Sequence, residues 1–255
     1  MDFKSLETVH PYTPDPATKN LSIGYYGSQA RFSGKILNLV DQDVTRYVDL
    51  VAGGMGTPYR FCYERDIPIG INDAGYFSHV WAKSVFTNCG IEALTDKDFK
   101  EMLQVTPVAG YITNYISTAN TSHGGKIKPD HAKYFDGLCV AYQDKPYMLA
   151  ALAKLLAGSM TFRSLSFCGS TADGMKVSEL PDSWIVKKLF RILTEIRTFN
   201  MALDRTVKEE NKVCWGDASS FVKDEPWLFR GAHVYMDPAW PWNKEMGGGE
   251  NPYIF

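Results

Sequence analysis

The sequence predicts an α/β chain: a doubly wound, parallel sheet whose succession of strands is interrupted by an inserted, mostly helical region. Three observations carry that expectation. Short apolar runs hold an acid at or near their carboxyl ends: Arg46-Tyr47-Val48-Asp49-Leu50-Val51, Pro68-Ile69-Gly70-Ile71-Asn72-Asp73 and Lys212-Val213-Cys214-Trp215-Gly216-Asp217. Near-continuous apolar runs of this kind are how strands buried on both faces read. Between the first two lies a glycine-rich turn, and strand, turn, helix and strand together make a βαβ unit. Strand patterning then lapses until about residue 206. Residues 96–205 are therefore assigned to the insertion, expected to have its own small core, and residues 1–95 with 206–255 to the sheet.

Composition narrows the class. The chain has 255 residues, 45% hydrophobic and 22% charged, with 27 Lys and Arg against 29 Asp and Glu for a net charge of −2. These are ordinary globular values and exclude a disordered or collagen-like chain. Near-neutrality excludes coating nucleic acid through overall charge but leaves a local basic face open. Cys62, Cys89, Cys139, Cys168 and Cys214 form no Cys-x-x-Cys pair. That argues against a disulfide framework and a zinc site and fits a reducing compartment. Met1-Asp2-Phe3-Lys4-Ser5 is not a signal-peptide start, and no run of about 18 apolar residues occurs. The expectation is a cytoplasmic monomer with no membrane partner and no metal.

Along the chain, Pro11-Tyr12-Thr13-Pro14-Asp15-Pro16 makes an extended lead-in, because proline removes donors and disfavours helix before it. Gly24 to Gln29 is a tight loop. Ile36, Leu37, Leu39 and Val40 space a short amphipathic helix over Phe32–Val40. The first strand stops at Ala52-Gly53-Gly54-Met55-Gly56, and after the second strand residues 76–87 continue as a helix. Residues 106–146 read as loop-rich. Met148–Leu156 is rich in alanine and leucine and reads as helix. Residues 171–183 are a turn region, and Trp184–Leu203 carries the clearest helical stripe, with Ile185, Leu189, Ile192, Leu193 and Ile196. Strands return at Lys212 and at Ala232–Met236, the last closed by Asp237-Pro238-Ala239-Trp240.

Ligands of open α/β sheets bind at the carboxyl ends of the strands. Gly53, Gly54 and Gly56 allow close backbone approach there, and Asp73, about 20 residues on, is placed for a ribose hydroxyl pair. A tight turn without a ligand accounts equally well for these glycines on their own. His79 and His233 lie in apolar surroundings and read as packing residues.

Val234-Tyr235-Met236-Asp237-Pro238-Ala239-Trp240 resembles an amino-methyltransferase active site, and four further segments extend the likeness in order. Tyr25-Tyr26-Gly27-Ser28 with Lys35 resembles the N-terminal cofactor motif of the DNA adenine methylase family. Tyr47-Val48-Asp49-Leu50-Val51-Ala52-Gly53-Gly54-Met55 resembles its glycine-rich motif, with Leu50-Val51 in place of Pro-Phe. Ile71-Asn72-Asp73 is similar to its ribose-binding segment. Trp215-Gly216-Asp217-Ala218-Ser219-Ser220-Phe221 resembles the segment that flanks the cofactor adenine. Asp237-Pro238-Ala239-Trp240 stands where the family has Asp-Pro-Pro-Tyr.

The resemblance implies a Rossmann-like methyltransferase sheet, S-adenosylmethionine as cofactor and double-stranded DNA as partner. It implies methyl transfer to the exocyclic amine of adenine, with the cytosine amine or a catalytically inert remnant as alternatives. Tyr26, Gly27, Ser28, Asp49, Ala52, Gly53, Gly54, Met55, Asp73, Asp217, Ala218 and Phe221 would hold the cofactor. Asp237, Pro238 and Trp240 would be catalytic: the carboxylate and the proline carbonyl accept the amine hydrogens, while Trp240 stacks on a base flipped out of the duplex. His123, Lys126, Lys128 and Lys133 are candidates for DNA phosphates, a solvated loop being the alternative. Because the family continues further beyond this motif, the chain is expected to be C-terminally truncated.

Overall fold

The computed structural model describes residues 32–92, 94–117, 129–159, 182–203 and 205–237. Helix α1 (Ser33–Leu39) leads into strand β1 (Arg46–Asp49), helix α2 (Gly56–Glu64), strand β2 (Ile69–Asp73) and helix α3 (Tyr76–Phe86). The insertion supplies α4 (Asp96–Leu103), a π-helical turn (Ile112–Ile116), α5 (Pro129–Ala141), α6 (Pro146–Ser159) and α7 (Asp182–Ala202), and α8 (Arg205–Glu210) leads back to the sheet. Strand β3 (Lys212–Trp215), helix α9 (Ala218–Asp224), a 3-10 turn (Pro226–Phe229) and strand β4 (Ala232–Tyr235) complete it.

The four strands form one parallel sheet in the order β3-β2-β1-β4. Tyr47 lies opposite Ile69 on one side and His233 on the other, and Asp49 opposite Ile71 and Tyr235. Chain direction across the sheet therefore reverses at β1: β2 and β3 add to one side of it, and β4 returns to the other.

Side chains alternate along a strand, so one residue set faces each layer. Tyr47, Ile69 and Ile71 point into the main core, where Tyr47 stacks on Phe61 of α2 with ring centres 3.9 Å apart. Val48 points the other way into a small cluster with Phe221 and Leu228. Gly70 shares that second face, where a Cβ would come within 3.3 Å of both Leu228 and Val48. Glycine lets α9 and the 3-10 turn seat closely on the sheet.

Helix α3 buries Val80, Trp81, Ala82, Ser84, Val85 and Phe86. A helix apolar on most sides must be covered on most sides, and α6 and α7 of the insertion do this by packing on α3. Lys154 of α6 lies over the Trp81 ring at 5.0 Å and pairs with Glu195 of α7 at 3.9 Å. Met102, Phe135, Leu152 and Leu189 consequently belong to the same buried cluster as Tyr47 and Ile71. The separate small core expected for the insertion is corrected: its apolar residues complete the core of the sheet.

The loop-rich reading of 106–146 is corrected as well, since α5 occupies Pro129–Ala141. Its stripe is interrupted by Asp136 and Gly137, both buried for special reasons. Asp136 receives backbone N–H groups, and a Cβ on Gly137 would stand 2.4 Å from the carbonyl oxygen of Thr106. Helix α6 extends the expected one at both ends, and α7 begins two residues before the expected start and ends one before the expected end, so the turn expected over 171–183 is corrected at 182–183, while 171–181 lies outside the described residues. No helix among the described residues is long and apolar enough to cross a membrane.

Gly137→Ala separates two opposed effects. Helix propensity alone would stabilise the variant by roughly 1 kcal/mol, whereas the clash forces α5 away from the 105–110 segment. Overpacking wins, and urea unfolding should show a net loss of about 1–3 kcal/mol.

Candidate functional site

The carboxyl ends of the strands are drawn together by backbone and amide hydrogen bonds. Leu50 N–H donates to Tyr235 at 3.1 Å, Ala52 N–H to the Asn72 carbonyl at 3.1 Å, and Gly216 N–H to the Asp73 carbonyl at 3.1 Å. The Asn72 amide donates to the carbonyls of Leu50 at 3.2 Å and Gly216 at 3.1 Å, bridging from β1 to β3. Asp73 takes the Gly53 N–H on one carboxylate oxygen and the Gly75 N–H on the other, each at 2.7 Å. The acid expected to meet a ribose is thus also the brace of the glycine turn. Each of its oxygens keeps a second lone pair.

The turn itself is held under strain. Gly53 has φ 49°, and Met55 has φ 63°, a left-handed conformation that costs a non-glycine residue about 1–2 kcal/mol. The Met55 side chain is buried in the main core, which holds the backbone in that conformation. Helix α2 starts at the next residue with no side-chain cap, so its first N–H groups face the carboxyl edge.

Asp49 closes β1 at this edge. Its carboxylate accepts the Val51 N–H at 3.2 Å and the Tyr47 hydroxyl at 3.3 Å, both neutral donors. Burial pushes the Asp49 carboxyl up to about 7; those two hydrogen bonds hold it down, and the charges of Asp73 and Asp237 push it further up. Burial, Asp237 and Asp49 likewise raise the Tyr235 hydroxyl. Asp237, two residues beyond the partner of Asp49 in β4, therefore lies with Asp49 and Asp73 at the carboxyl edge where the direction of the sheet reverses.

The structure brings together Asp49, Ala52, Gly53, Gly54, Met55, Asp73 and Asp237. Asp217 follows Gly216 at this same edge, whereas Phe221 lies on the opposite face of the sheet. The Asp217 carboxylate caps α9, taking the N–H groups of Ser219 at 2.9 Å and Ser220 at 3.2 Å, and the Ser219 hydroxyl holds it below the usual carboxylate range. Ala218 is the first residue of that helix. Phe221, one turn on, faces the sheet and packs with Val48 and Leu228. Lys133 is a half-buried residue of α5. Tyr26, Gly27, Ser28, His123, Lys126, Lys128, Pro238 and Trp240 lie outside the described residues.

Three residues were missed by sequence reasoning. Asn72, in β2, links the turns after β1 and β3 and keeps its side-chain oxygen buried without a partner. Trp215, level with Asp73 in the register, donates its indole N–H to the Ala74 carbonyl at 2.9 Å. Tyr76 meets the Trp215 ring edge-on with centres 4.9 Å apart, and both rings are exposed beside Asp73. Their only signal in sequence was position, next to a strand-ending acid. His233 is a packing residue stacked with Tyr47 at 6.1 Å. Among the described residues no group of His, Cys, Asp and Glu could hold a metal ion. In comparisons with known proteins, no family model, curated protein or solved structure matches the chain.

The Asp49 carboxyl sets a pH dependence with a definite sign. It keeps its proton up to about pH 7 in the folded chain, whereas an unfolded Asp releases it near 3.9. Folding thus binds a proton between those values, and this contribution to stability is full below about pH 4 and lost as pH rises toward 7. Asp49→Asn removes it. Urea unfolding of both proteins from pH 4 to 8 should show the wild type losing on the order of 4 kcal/mol relative to the variant, with no further change above about pH 8.

Proposed function

We propose that the chain is an S-adenosylmethionine-dependent methyltransferase of a Rossmann-like type, acting on the exocyclic amino group of adenine in double-stranded DNA. The observation that carries the reading is the juxtaposition of Asp237 with Asp49 and Asp73. Residues far apart in sequence, taken from three motifs with a methyltransferase resemblance, stand at the ends of adjacent parallel strands, the edge at which α/β sheets bind ligands.

The residues present fit such a cofactor. A carboxyl whose ionisation is opposed by burial and by two neighbouring carboxylates is favoured in its charged form by a cation, and S-adenosylmethionine carries a sulfonium and an ammonium. When bound, it supplies an electrophilic methyl group. Asp49 would face its positive charge, Asp73 would accept ribose hydroxyls on its remaining lone pairs, and Gly53 and Gly54 would let the backbone come close. Tyr26, Gly27 and Ser28 would complete the binding set.

The chain's own part in the chemistry is to prepare a poor nucleophile. The lone pair of the adenine amine is conjugated into the ring. An Asp237 carboxylate and a Pro238 carbonyl that accept its two hydrogens favour a pyramidal nitrogen, with the lone pair free to point at the methyl donor. Trp240 would stack on the base, and proline's fixed φ keeps the turn stiff. A base within a duplex is out of reach, so it must be extruded to the carboxyl edge, with His123, Lys126, Lys128 and Lys133 near the phosphates.

Asp237→Ala should abolish methyl transfer from labelled S-adenosylmethionine to duplex DNA, by roughly a hundredfold or more, while calorimetry shows cofactor affinity changed no more than a few-fold. Mass analysis of the nucleosides should give N6-methyladenine. N4-methylcytosine would move the substrate to the cytosine amine, and a folded protein that binds no cofactor would be an inert remnant. Undiminished methylation by the variant would overturn the role of Asp237.

A further inference from the structure

Asn72 stands in β2 where the strand pattern calls for an apolar side chain. A Cβ on Gly70, two residues back, would meet Val48, Phe221 and Leu228. Side chains alternate along a strand, so Asn72 faces that same layer. Leu50 and Cys214 pack on the layer too, Cys214 level with Asn72 in the register. Asn72 is 2% exposed, and its Oδ1 is buried without a donor. Leaving a buried acceptor unpaired costs about as much as one or two hydrogen bonds contribute. Packing and stability therefore do not account for an amide at this position.

The two donations from its nitrogen do. Strand β2 lies between β1 and β3, so no ladder bond can join those two. The Asn72 Nδ2 reaches across β2 instead. It donates to the Leu50 carbonyl at 3.2 Å, where the chain leaves β1, and to the Gly216 carbonyl at 3.1 Å, where it leaves β3. Two carbonyls on one side fix which end of the amide is nitrogen. Each turn has a second tie to β2: the Ala52 N–H to the Asn72 carbonyl and the Gly216 N–H to the Asp73 carbonyl, both at 3.1 Å. Gly216 has φ 143°, a conformation that favours glycine, and in it one residue can offer β2 both its N–H and its carbonyl.

We propose that Asn72 is a positioning residue of the ligand edge: its amide sets the separation of the turns after β1 and β3, and through them the affinity for the cofactor. Asp73 ends β2 between those turns, so their separation is the width open to whatever Asp73 holds. The inference rests on the reading of S-adenosylmethionine as that ligand.

Two variants of nearly the same size test it. Asn72→Leu suits the apolar layer and removes the unpartnered oxygen, but loses both donations. Asn72→Asp keeps the shape and sets an acceptor against two carbonyls. In the ligand-free chain, hydrogen exchange at Ala52 and Gly216 should be about tenfold faster in both variants, with α6 and α7 unchanged. Calorimetry with S-adenosylmethionine near pH 8 should show each variant about tenfold weaker than the wild type. For Asn72→Asp the deficit should shrink as the pH is lowered to about 5, because a protonated carboxyl again donates to one carbonyl. For Asn72→Leu it should not. The neighbouring titratable groups, Asp49, Asp73, Asp217 and Cys214, are common to the proteins compared at each pH. A Leu variant that melts, exchanges and binds like the wild type overturns the proposal, as does a deficit in the Asp variant that stays constant with pH. Should the Leu variant not fold, the pH profile of the Asp variant decides alone. A wild type that binds no S-adenosylmethionine would remove the cofactor reading and the affinity role together, whereas equal binding by wild type and folded variants would remove the role of Asn72 alone.

Discussion

One carboxylate holds the carboxyl edge of the sheet in shape. Asp73 receives the Gly53 N–H from the turn after β1 and the Gly75 N–H from the start of α3. Its own carbonyl receives the Gly216 N–H from the turn after β3. Strands of four and five residues are too short to order long connections by themselves. Charge-assisted bonds to backbone N–H groups are the stronger sort of hydrogen bond, and they fix the glycine turn against β2. The position of α2, and with it the uncapped helix end at the carboxyl edge, follows from that turn.

The same edge concentrates features that oppose stability. Asp49 is an acid kept largely from water, Met55 is a non-glycine residue in a left-handed conformation, and Asn72 has a buried oxygen without a partner. The remainder of the sheet is regular, with Tyr47, Val48, Ile69 and Ile71 all fully buried. Strain and desolvated charge gathered at one place persist because the surrounding core over-determines them. Such gatherings are characteristic of sites that act on ligands. A cationic ligand would relieve the charge without any change of fold.

Helix α3 has a double part. It starts at the carboxyl edge, immediately after Asp73, and its buried residues are the floor on which the insertion rests. Because sheet and insertion share a core, the π-helical turn is carried on the same packed body as the acids, not on a separately hinged module.

Much of the fold was legible in the sequence. Apolar runs ending in acids marked β1, β2 and β3 to within a residue or two, and the stripe of Ile185, Leu189, Leu193 and Ile196 marked α7. These are local patterns with a period of their own. Helix α5 was not legible, because Asp136 and Gly137 are there for partners outside the helix: the π-helical turn, and the backbone at Thr106.

For the site, sequence alone determined which residues could do chemistry: the strand-ending acids, the glycine turn and the Asp237-Pro238 turn. Only the tertiary structure decided which of them meet. It put Tyr235 beside Asp49, turned Asp217 onto a helix end and sent Phe221 into the opposite layer. The reason is physical. Side-chain spacing records the period of a strand or helix, but the neighbour that a parallel strand takes is set by how helices pack across both faces of the sheet, and no local pattern carries that information.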